Sequence, residues 1–171
     1  MSVSMHRATL PVFVHGLRVL SSLLDKAQAH ALQAGVDPAT LVDARLAPDM
    51  LTLAGQVQRA SDTSKLSAER LSGLASPKLT DDERTLDDLR ARIASTIAYL
   101  DSVDEASMAG SEARTVVLNF GSFKPTFTGT DYLFDFALPN FYFHVTTAYD
   151  ILRAQGVPIG KLDFIGLGRP D

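Results

Sequence analysis

Phe13, Leu17, Leu20, Leu24, Ala27 and Ala31 repeat with the spacing 4-3-4-3-4. On an α-helix that spacing keeps every member on one stripe, which is the seam of a helix packed against other helices. Such a seam cannot be satisfied by one helix alone, so the rest of the chain must supply partners. Three more stretches do. Met50, Leu53, Val57, Ala60 or Ser61, Ser64, Ala68 and Leu71 form a second seam, with a small and partly polar middle. Leu86, Leu89, Ile93, Thr96, Leu100 and Val103 form a third, and Phe141, Val145, Ala148 and Leu152 a fourth. Four such seams in one chain predict an all-α fold, an antiparallel four-helix bundle, as one domain over residues 1–171.

Punctuation marks place the ends. The first helix is expected over residues 9–34, stopped by Gly35, and Asp37-Pro38 reads as a cap and first turn of a short helix over 39–45. The second long helix is expected over 48–74. Thr80-Asp81-Asp82-Glu83 has the form of a capping box opening a third helix over 81–103. Residues 104–113 read as a loop. Residues 115–119 and 126–128 are β-branched and aromatic around Gly121, which predicts a small hairpin between helices three and four. Residues 131–138 read as a further helical turn. Pro139 suits the first position of the last helix, Gly156 its C′ position, and residues 157–171 an extended tail.

Composition excludes several functions. The net charge is −4 with no basic stripe, so nucleic-acid binding is not expected. The chain has no cysteine, which removes disulfides, thiolate nucleophiles and Cys-type metal sites, and fits a reducing cytoplasm. Residues 10–24 are apolar but interrupted by His15 and Arg18 and fall short of the ~20 apolar residues of a membrane span, so no membrane association is expected. There is no G-x-S-x-G nucleophile turn. Gly166-x-Gly168 has no helix after it, and Gly160-Lys161 lacks the rest of a phosphate-binding loop.

The polar residues that invite chemistry are few. Asn140 and His144 are four apart and share one helix face, a geometry for a metal or for a polar network. Gln56, Gln58 and Asp62 lie in the small middle of the second helix. Tyr132, Phe134, Phe136, Phe141, Tyr142, Phe143 and Tyr149 are read as core plus an interface between copies of the chain. Arg153, Lys161 and Asp163 are read as groups that fix the tail. His6, His15 and His30 are read as surface or half-buried helix residues.

The segments RLAPDM (45–50), QVQRASD (56–62), LPNFYFHVTTAYDILR (138–153) and GVPIGKLDF (156–164) resemble a bacterial domain-of-unknown-function family of the DinB-like, YfiT-like metalloenzyme superfamily. The resemblance covers nearly the whole chain. It implies a four-helix bundle and a homodimer. The superfamily commonly holds a divalent metal through three histidines, one on the second helix and an H-x-x-x-H pair on the fourth. Carried over, those positions fall on Gln58, Asn140 and His144. Two carboxamides in place of two imidazoles are weak donors for zinc or nickel. The resemblance therefore implies a degraded metal site, with Gln58, Asp62, Asn140 and His144 lining a polar pocket for a small ligand. Two alternatives stay open: a metal-dependent transferase or hydrolase with His144 as ligand or general base, and a non-catalytic dimeric interaction module.

Overall fold

The computed structural model describes residues 3–167, so Gly168 to Asp171 of the expected tail lie outside the described residues. Four long helices form the bundle: α1 (Met5–Gln33), α3 (Leu53–Ser72), α4 (Leu86–Ser102) and α6 (Leu138–Ala154), with short α2 (Ala39–Val42) crossing between α1 and α3. α1 packs on α4 and α6, and α3 packs on the same two helices, so α1 and α3 face each other diagonally. The first seam is the centre of the core: Phe13, Leu17, Leu20, Leu24 and Ala27 are fully buried. α1 starts a turn before the expected residue 9, because the Ser4 hydroxyl accepts from Arg7 N and Met5 is buried.

The small middle of α3 serves close approach of its neighbours. Ser61 Oγ meets Thr96 Oγ1 of α4 at 2.7 Å, and Ser67 Oγ meets the Tyr132 hydroxyl at 2.8 Å. These buried hydroxyls of α3 thus have partners on the neighbouring elements. α3 begins at Leu53 rather than near residue 48, because Thr52 caps it through Gly55 N. It ends at Gly73, whose φ of 81° is left-handed.

The third long helix corrects the sequence expectation. Its capping box is Thr85 with Asp88, and α4 starts at Leu86. Asp81 and Glu83 instead lie in a strap, residues 73–85, where both pair with Arg92 of α4.

β1 (Val116–Val117) and β2 (Thr126–Phe127) form the hairpin, pairing Val116 with Phe127 and Val117 with Thr126. It leads into α5 (Gly129–Asp131), capped by Thr128. A Cβ on Gly129 would lie 1.8 Å from Ser111 O, so α5 packs backbone to backbone against the turn Ser111–Ala113. The helical run then widens into a π-turn, Tyr132–Ala137, before α6. Pro139 stands in the first turn of α6, as expected, but the chain before it is already helical. It sits just after the π-turn, where the ladder is already shifted and its missing N–H does least harm.

The aromatic run divides. Tyr132 and Phe141 are fully buried, Phe136 and Tyr149 half-buried, and Phe134, Tyr142 and Phe143 exposed. The expected extended tail contains a helical turn, α7 (Lys161–Phe164), packed on α1. It is held by Lys26 Nζ on Asp163 Oδ1 at 3.1 Å, and Arg153 donates to Ile159 O at 2.8 Å. Among the described residues no helix is long and apolar enough to cross a membrane.

Candidate functional site

The site grows from the facing stripes of α3 and α6. His144 Nδ1 lies 2.8 Å from Gln56 Oε1, and Gln56 Nε2 donates to Leu51 O at 3.4 Å. With the amide so oriented, its oxygen accepts from His144 Nδ1–H, which leaves His144 Nε2 as the unprotonated ring nitrogen. Burial, helped by the nearby Arg59 charge, pushes His144 down to about 4. The imidazole is therefore neutral at physiological pH. One turn earlier, Asn140 Nδ2 donates to Thr63 Oγ1 at 2.7 Å.

Gln58 is not part of this group. It points its amide to Glu83 Oε2 at 2.8 Å, in the strap. Gln56 and Gln58 are two apart on a helix and so face nearly opposite ways. Asn140 and His144 thus share a helix face but bond separately, to Thr63 and to Gln56. Asp62 belongs to a charge network: Arg92 Nη2 lies 3.0 Å and Lys65 Nζ 3.2 Å from its Oδ1, and Arg59 Nη1 3.5 Å from its Oδ2. Arg59 also pairs with Asp81. Glu83 closes the network. Burial raises its pKa, but hydrogen bonds from Arg92 and Gln58 outweigh this and hold it below the ordinary carboxyl value.

A cleft of about 230 Å³ opens beside Asn140. Arg59, Asp62, Thr63, Leu66 and Arg70 of α3 form one wall. Leu118, Asn119 and Phe120 of the hairpin, Phe136 of the π-turn and Asn140 of α6 form the other. Of the four residues expected in a pocket, Asp62 and Asn140 line it, while Gln58 and His144 do not.

Arg59, Thr63 and Arg70 were not among the expected site residues, and Gln56 was noted only for its place in the small middle of the helix. Their signal was spacing: they fall at i, i+3, i+7 and i+14, one stripe of α3. Asn119 and Phe136 carry no such signal, because they reach the cleft through the hairpin and the π-turn.

The donor set does not fit the superfamily's three-histidine metal centre. The cleft and its flank offer one imidazole, and the Asn140 amide is turned to donate to Thr63. The guanidinium of Arg59 is near enough to depress His144 and would repel a cation. Among the described residues no three His, Cys, Asp or Glu side chains are placed to share a metal ion.

Comparison with known proteins places the chain. A family model described as Domain of unknown function (DUF1993) matches residues 5–165. A solved structure, the crystal structure of a DinB family member protein from Shewanella denitrificans, is 40% identical, with a TM-score of 0.87. The similarity covers 98% of this chain and 94% of that one. No curated protein matches. The protein described above, a DinB-like helical bundle, belongs to the DUF1993 family.

Proposed function

We propose that this protein binds a small organic molecule in the cleft beside Asn140, on a scaffold whose metal position has been given over to amide and imidazole hydrogen bonds. The observation that carries this reading is the cleft itself: a concave site in which Leu66, Leu118, Phe120 and Phe136 lie among convergent polar and charged groups that could orient a ligand. At about 230 Å³ it is smaller than drug-sized pockets of roughly 300–1,000 Å³, which suits one ring or a short chain. Asn140, fixed by Thr63, supplies a preorganised polar contact. Neutral His144 supports the α6 wall through Gln56.

Elemental analysis and a ligand screen test the two halves of this reading together. Protein purified without a histidine tag is expected to carry metal far below one equivalent, and to take up none after exposure to zinc, nickel or manganese. Small organic molecules are expected to raise the melting temperature of the parent and not of Asn140→Leu. One equivalent of metal, lost in His144→Ala, would overturn the reading in favour of metal-assisted chemistry.

A further inference from the structure

We propose that the ligand is an organic anion, a carboxylate on a flat or short apolar body, and that Arg70 is the residue that holds its charge. This rests on the cleft being the binding site. The charges of the cleft single out Arg70. Arg59, Lys65 and Arg92 each have a carboxylate partner within ion-pair distance. Arg59 and Asp62, both in the cleft wall, largely cancel each other. Among the described residues Arg70 has no carboxylate within that distance; its hydrogen-bond partner is the neutral Tyr132 hydroxyl, 2.9 Å from Nη1. Glu69, its neighbour in sequence, is engaged by the backbone N–H and hydroxyl of Ser76, at 3.0 and 2.5 Å.

Glu69 feels the Arg70 charge, but from beyond ion-pair distance, so the half-buried guanidinium keeps its fork of donors for an anionic ligand. Here it is also held in place. Tyr132 is fully buried, its hydroxyl is shared with Ser67 at 2.8 Å, and the guanidinium carbon lies 5.7 Å from its ring centre. One Nη1 bond leaves several N–H donors of the fork for a carboxylate. From Tyr132 the aromatic surface continues to Phe136, centroids 5.9 Å apart, and on to Phe120 at 6.0 Å. Both phenyl rings line the cleft, so a ligand seated on Arg70 lays its apolar body along them. Asn119 and Asn140 are the remaining polar groups in reach.

Matched acid and amide pairs read the charge separately from the shape: benzoate with benzamide, phenylacetate with phenylacetamide, hexanoate with hexanamide. Binding to the full chain is followed by amide chemical shifts and calorimetry, for the parent, Arg70→Gln and Arg70→Lys. At least one acid is expected to bind about tenfold or more tighter than its amide. Arg70→Gln is expected to erase that preference while leaving amide binding, which also shows that the variant is folded. Arg70→Lys retains part of it, since lysine keeps the charge but not the fork. Acid and amide binding alike at Asn119, Phe136 and Asn140, unchanged by Arg70→Gln, would overturn the anion assignment and leave the cleft reading standing. No shift at those residues with any of the six compounds would overturn both.

Discussion

His144 is neutral because charging it is unfavourable where it sits, and that has a measurable consequence. Burial, and then Arg59, hold it near 4, against an ordinary value of about 6.5 in the unfolded chain. As pH falls from about 6.5 to about 4, the unfolded chain takes up a proton at this residue and the folded one does not. Stability from His144 is thus fully present above about 6.5 and is lost as pH falls toward about 4. His144→Gln removes the titration and keeps a donor for Gln56. We expect the parent's urea midpoint to drop across that window and the variant's to stay nearly level. Several carboxylates, Glu83 and Asp163 among them, are held below their ordinary values, so their losses fall mostly at lower pH. Equal slopes for parent and variant would mean that His144 is not the group responsible.

Among the elements, residues 80–88 separate what local pattern can specify from what it cannot. Two stretches there have the capping-box form, Thr80 to Glu83 and Thr85 to Asp88. The second is used: Thr85 Oγ1 accepts from Asp88 N at 3.1 Å, and Asp88 accepts from Thr85 N at 2.9 Å. The first is overridden because Glu83 is drawn to Arg92 and Gln58, contacts nine and 25 residues away in sequence. Thr85→Ala is expected to lose about 1 kcal/mol. Thr80→Ala, which removes an exposed bond to Asp82, should stay within about 0.5 kcal/mol. A chemical-denaturation series on the two variants decides this, and the reverse order would move the helix start back to the first box. The four seams were legible for the opposite reason: period alone sets which residues face inward, as Leu89 and Ile93 do. The same logic explains the site. Asn140 and His144 were legible as one helix face, but their partners Thr63 and Gln56 depend on how α6 is rotated against α3. The cleft wall from Asn119 to Phe136 depends on a hairpin and a π-turn that no local period announces.

For the molecule as a whole, Arg92 is the point where three parts meet. It stands on α4, its side chain is 2% exposed, and it pairs with Asp62 of α3 and with Asp81 and Glu83 of the strap. Its bond to Thr80 O at 2.9 Å adds a backbone tie. A buried ion pair is weak evidence of net stabilisation, since desolvation offsets much of the attraction. Removing Arg92 is another matter, because Asp62 and Asp81 keep Arg59 as a partner but the buried Glu83 carboxylate is left with the neutral Gln58 amide. Arg92→Met is therefore expected to destabilise by about 3 kcal/mol or more, and Glu83→Gln by less, because glutamine still fits between Arg92 and Gln58. The informative measurement is the double variant. If the loss in Arg92→Met comes from stranded negative charge, adding Glu83→Gln should recover about 1 kcal/mol or more relative to the sum of the single changes. If it comes from lost packing of the arginine stem, the two changes will add. Equilibrium unfolding of the four proteins distinguishes these results. Recovery would show that the strap is held over the bundle by charge complementarity. The polar residues of α3 would then divide between an ionic side, where Gln58 meets the strap, and a neutral hydrogen-bonding side, where Gln56 and Thr63 meet α6.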